Sequence, residues 1–158
     1  MVPGACTVPP IDVWVTWSGT AGSANEYVTV GDLVPVANSS IITTGPITPT
    51  QAGSVAQRRM ALFGVCMETT RTGKRCRVRI QGNCLANVKA TANVAVSAND
   101  ELNIGTLKYL DATRPNVNTN RAVARAVGTI ASGSSAAGAM IEVVMLGVYG
   151  SGLNGLGA

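Results

Sequence analysis

The chain has 158 residues, of which 46% are apolar but only 4% aromatic and 13% charged, with a net charge of +4 and no histidine. That length fits one domain with a real core, which must be filled by Val, Ile, Leu, Ala and Met rather than by rings. The missing histidine removes the commonest general base and the commonest metal ligand together, and so little surface charge suits a packed assembly better than a free enzyme.

Residues 1–25 differ in texture from the rest. MVPGACTVPP has three prolines, which exclude a helix and a central strand alike. It lacks the basic and continuous apolar regions of a signal peptide, and nothing in the chain approaches the ~20 apolar residues of a membrane span. The expectation is synthesis in the cytoplasm without processing. IDVWVTW then alternates, with Val13, Val15 and Trp17 on one side and Asp12, Trp14 and Thr16 on the other. SGTAGSAN follows as a small-residue linker. Two readings stay open: an extended arm that adds a strand to another chain, or an edge strand of the chain's own sheet.

EYVTVGDLVPV reads as strand, Gly-Asp turn, strand, with Pro35 restricting the second piece to an edge or a bulge. The Thr/Pro/Gly-rich passage 38–57 is expected to be a long surface loop. MALFGVCMETTRTGKRCRVRIQG, residues 60–82, then reads as a hairpin. In its second arm Cys76, Val78 and Ile80 share one face and Arg75, Arg77 and Arg79 the other, the period of a half-buried strand. Seven of the twelve basic residues fall between Arg58 and Arg79. A phosphate-binding stripe would look similar, but no aromatic residues interleave with the arginines to stack bases. No nucleic acid is expected; a protein partner, for which forked guanidinium donors are suited, is the preferred reading of this basic strand.

NCLANVKATANVAVSANDELNIGTLKYL is expected to give several short strands broken by Asn, Ser and Gly. DATRPNVNTN is a second loop. In RAVARAVGTI the spacing of Val123, Val127 and Ile130 also fits a helix; the parallel with MALFGV favours a strand over residues 121–128. That parallel is part of a duplication. A step of 65 carries Gly73 to Gly138, Gly82 to Gly147, and Cys76, Val78 and Ile80 to Ile141, Val143 and Met145. Gly64 maps to Gly128 at a step of 64, so the second hairpin loop is expected to be one residue longer, and GDLV is answered by NDEL, with Asp32 matched to Asp100. Both aspartates are read as turn residues bonding the backbone two residues on. Where the first copy shows arginines, the second shows Met140, Glu142 and Val144, so Met140, Val144 and Leu146 are expected to be buried by the fold or by a neighbouring subunit.

The four cysteines, 6, 66, 76 and 84, form no Cys-x-x-Cys pair; buried free thiols are the expectation, with a Cys66–Cys76 disulfide left open. No nucleophile elbow, Walker loop or dinucleotide fingerprint opens a helix, and the eight carboxylates are scattered. No catalytic residue, cofactor or metal is assigned. YGSGLNGLGA, residues 149–158, reads as a flexible tail.

VGDLVPV, ALFGVCMETTRTGKRCRVRIQG, NDELNIG and ARAVGTIASGSSAAGAMIEVVML together resemble the bacteriophage head decoration, or capsid cement, proteins over residues 27–146. The resemblance is one of spacing and texture. It implies an all-β chain: a small β-barrel or β-tulip domain over 26–148, built from two hairpin-containing halves, with an N-terminal arm and linker at 1–25. It further implies a non-enzymatic virion protein, a homotrimer on the outer capsid surface, that stabilises the expanded shell. Its partner would be the major capsid protein, paired by the arm with Val13, Trp14, Val15 and Trp17 as contact residues. A receptor-binding or fibre-tip module is the second expectation. A hydrolase using converging acids is the third.

Overall fold

The computed structural model describes residues 9–17, 19, 21–24, 26–37, 41–42, 62–89, 95–104, 108–112, 122–131 and 138–147. These residues contain strands and no helix: β1 (Ile11–Trp17), β2 (Tyr27–Val28), β3 (Leu33–Ala37), β4 (Ile41–Ile42), β5 (Leu62–Cys66), β6 (Thr70–Arg71), β7 (Arg75–Lys89), β8 (Glu101–Ile104), β9 (Leu110–Asp111), β10 (Ala122–Ala126) and β11 (Ala139–Leu146). The all-β expectation holds, and AVARA, Ala122–Ala126, is a strand rather than a helix. Residues 1–8, the tail at 149–158 and most of the two long loops lie outside the described residues.

The strands close into two five-strand rings. In the first, β1, β4, β3, β5 and the front half of β7 follow one another, and β7 pairs back onto β1. In the second, the back half of β7 is followed by β9, β8, β10 and β11, and β11 pairs back onto β7. Neighbours are antiparallel except β1 with β4 and β7 with β9, which are parallel. The rings close through short ladders, β1 with β4 at Thr16 and Trp17 and β7 with β9 at Val88 and Lys89, which reduces the edge left to pair with strangers.

Strand pairings show that the second ring repeats the first. Val36 pairs with Ile42, as Ile104 does with Leu110. Leu33 pairs with Val65, as Glu101 does with Arg125. Cys66 pairs with Val78, as Ala126 does with Val143. Val15 pairs with Cys76, as Ala86 does with Ile141. Even the bridge Val28–Thr70 has its copy in Val96–Ile130. The duplication read from the sequence is therefore complete, and it includes β1, whose counterpart is the back half of β7.

Three expectations change. Cys66 corresponds to Ala126 while Cys76 corresponds to Ile141, so the second hairpin loop is five residues longer, not one. Gly64 accordingly corresponds to Ala124, and Gly128 lies beyond the strand. Residues 83–89 are not a separate short strand: β7 runs through Gly82 without a break. At Gly82 the chain passes from one ring to the next with φ of 100°, and a Cβ there would lie 2.8 Å from Pro10 Cα. Only glycine satisfies both the angle and the approach. The boundary placed at residue 25 also moves, because β1 is a wall of the first ring; the segment is extended as expected, and its partner is the chain's own β7.

Each ring has its own interior. Val15, Trp17, Val28, Val34, Cys66, Cys76 and Val78 fill the first. Their counterparts Ala86, Val88, Val96, Leu102, Ala126, Ile141 and Val143 line the second. Leu33, Phe63 and Val65, on the opposite face of β3 and β5, join the second ring's cluster, so the two rings are welded by apolar burial. β3 lies between β4 and β5 rather than at an edge of the sheet, and Pro35 stands opposite Phe63 of β5.

The entry to β3 and β8 is the same turn twice. Asp32 N–H bonds Thr29 O and Asp100 N–H bonds Ser97 O, both at 3.1 Å. The third residue has positive φ, 89° at Gly31 and 72° at Asn99, as a type II turn demands. Each aspartate accepts from the N–H three residues back, Thr29 at 3.0 Å and Ser97 at 2.8 Å, rather than two residues on.

Candidate interaction surface

The outward face of β1 against β7 gathers the chemistry that the sequence singled out. Alternation sends Val15 and Trp17 inward, where both are buried, and leaves Val13 half-buried. Of the four contact residues expected on the arm, Trp14 alone stands out, 50% exposed. Val15 and Trp17 are core residues because the ring they complete is the chain's own.

The register sets Trp14 opposite Arg77, Asp12 opposite Arg79 and Thr16 opposite Arg75. Arg79 grips Asp12 with two hydrogen bonds, Nε to Oδ1 at 2.7 Å and Nη2 to Oδ2 at 3.0 Å, and donates from Nη1 to Asn83 O at 2.6 Å. Arg77 Nε lies 3.7 Å from the same carboxylate. The hydrogen bond from Arg79 holds the Asp12 carboxyl below its ordinary value against the opposing effect of burial, and Asp12 in turn raises Arg79. Arg75 lies over the Trp14 ring, 5.6 Å from its centroid, within cation–π range.

The basic stripe is thus largely spent within the chain. Arg79 is neutralised, Arg77 is shared, and Arg75 is laid on an indole. Arg75 and Arg77 remain exposed, and with the half-exposed Trp14 they present an aromatic knob with a polar border. The sequence already placed Asp12 and Trp14 on one side of IDVWVTW, but only the pairing of β1 with β7 brings them to the arginines.

The second ring offers Leu85 at the position of Trp14, and it is 51% exposed. Opposite Leu85 stands Glu142, which accepts from Asn83 Nδ2 at 3.1 Å. Of the expected interface residues, Met140 is 47% exposed while Val144 and Leu146 are half-buried, so the fold of one chain does not bury them fully.

Cys66, Cys76 and Cys84 are free and buried. Burial pushes the Cys84 thiol up to about 12, and Cys76 is raised by its hydrogen bond with Cys66 and then by burial. Such thiols are poor nucleophiles. Among the described residues no group of three or more Cys, Asp or Glu could hold a metal ion. No protein-family model matches the chain, and no curated protein matches it.

Proposed function

We propose that this chain is a structural virion protein that binds the outer surface of a phage capsid, works without catalysis, and stabilises the expanded shell. The resemblance to capsid cement proteins gives the class. The observation that carries the reading is the half-exposed indole of Trp14, held under Arg75 and matched by exposed Leu85 in the second ring. Two apolar knobs at equivalent positions suit a partner that itself presents repeated surfaces, as a shell of major capsid protein does. A ligand that binds the expanded shell and not its competitor stabilises it by mass action, and a homotrimer multiplies the effect by linking contacts.

The contact differs from the one expected of an arm. β1 pairs with β7 over Ile11–Thr16 and with β4 at Thr16 and Trp17, and the partner meets its outward side chains at Trp14. Purified protein added to expanded shells that lack it should co-sediment, and Trp14→Ala should weaken that binding by about tenfold or more. Wild-type protein that ignores shells but binds host cells would transfer the reading to a receptor-binding module.

A further inference from the structure

The joint between the two rings has a donor side and a receiving side, and each ring carries both. In the joint within the chain, the Gly31–Asp32 turn of the first ring sits on the second. Asn87 N–H donates to Gly31 O at 2.9 Å, Asn87 Nδ2 to Asp32 Oδ1 at 2.9 Å, and Leu33 N–H to Lys108 O at 3.0 Å. Lys108 Nζ lies 3.7 Å from Asp32 Oδ1. Met140 closes over the turn, with its Cε 2.9 Å from where a Gly31 Cβ would be. Met67 packs against the larger apolar cluster beside it.

The repeat supplies a second donor side, with no third ring on it among the described residues. Asn99, Asp100 and Val127 hold the places of Gly31, Asp32 and Met67. Asp100 Oδ2 takes the Ser97 N–H, as Asp32 Oδ2 takes that of Thr29. The other oxygen of Asp100, whose equivalent binds Asn87, has no partner among the described residues. Val127 is 41% exposed. The first ring likewise carries a receiving side, where half-buried Thr16 and exposed Arg75 hold the places of Asn87 and Met140. Arg75 is exposed and makes no ion pair among the described residues.

We infer that chains associate head to tail through these two sides, the Asn99–Asp100 turn of one copy seating on the Thr16/Arg75 edge of the next. The joint between chains then repeats the joint within the chain. Its charges are complementary: Asp100 would come near Arg75, a cation at the place of Met140, where the internal joint instead brings Lys108 to Asp32. Such a joint is heterologous, so it continues until it closes into a ring or runs on as a fibre. A closed trimer places six rings of strands in succession. The inference gives the proposed homotrimer its contact, and it holds or fails without a capsid.

The test is the mass of the full chain in solution by sedimentation velocity, without capsids, for the wild type, Arg75→Glu, Val127→Asp and an equal mixture of the two variants. Both side chains are exposed, and circular dichroism checks that the variants fold; Arg75→Gln and Val127→Ser are the milder alternatives. The wild type should form oligomers, and each variant alone should lose about tenfold or more in self-association. The mixture should form dimers and nothing larger, because the sound donor side of Arg75→Glu fits the sound receiving side of Val127→Asp. A monomeric wild type, a variant that assembles as before, or a mixture that yields no mixed dimer overturns the head-to-tail joint. Shell binding is read separately by co-sedimentation, with Val127→Asp rather than Arg75→Glu, because Arg75 lies over Trp14.

Discussion

Where the first ring points Arg75, Arg77 and Arg79 outward, the second points Met140, Glu142 and Val144 from the same three positions of the equivalent strand. On the inward side of those strands, Cys76 and Val78 are answered by Ile141 and Val143, all of them buried. The difference separates two kinds of constraint. Inward positions of a closed five-strand ring must fill a fixed small volume, and substitution there has to conserve it in sum. Outward positions answer only to what lies against them. Trp17 and Val88 show the limit of the first rule: they occupy equivalent places in the two interiors, so each ring balances that large difference in volume with other residues.

The comparison can be broken most severely by removing residues 1–17. This takes away a wall of the first ring, with Val15 and Trp17, and should abolish cooperative folding of that ring; retained hydrogen-exchange protection at Val78 and Val34 would show that β1 is dispensable. Next comes the pair Trp17→Ala and Val88→Ala. The first should cost about 3–5 kcal/mol and the second about 2 kcal/mol, read from denaturant midpoints. Equal costs would mean that the rings fill their interiors in the same way after all. The smallest effect belongs to Asp12→Asn, which removes the carboxylate gripped by Arg79. The folded-state value of Asp12 is depressed, so its stabilisation is present above the ordinary value of 3.8 and is lost as pH falls through the lower folded value. Asp12→Asn should therefore cost about 1 kcal/mol at neutral pH and flatten the acid limb of the stability profile. Asn83, the counterpart of Asp12, carries no charge, so Asn83→Ala should leave that limb unchanged.

Much of this was legible in the chain itself. The alternation in IDVWVTW and RCRVRI fixed which side chains point inward, since period 2 leaves no choice once one face is buried. The Gly-Asp and Asn-Asp turns could be matched because positive φ and a carboxylate are both required there. What could not be read was closure. Pairing of β1 with β7 joins residues 59 to 70 apart and leaves no local mark, so an extended segment with two tryptophans looked equally like an arm. The loop lengths misled for a similar reason. Gly64 and Gly128 invited alignment by identity, whereas register depends on ladder partners. The candidate surface was half visible: the arginine face was plain, but its neutralisation by Asp12 needed the fold.

One strand, β7, belongs to both rings, and this orders events in time. As the chain leaves the ribosome, the first ring cannot close until residues 75–81 emerge, and the next residues to appear are already the opening strand of the second. The finished ring holds that strand extended, with its backbone groups presented in register, so β11 meets a template in place of a coil. The long-range contacts that make closed β-structures slow to form are thereby paid down in two stages, each about seventy residues long, and the first half of the molecule serves as a chaperone to the second.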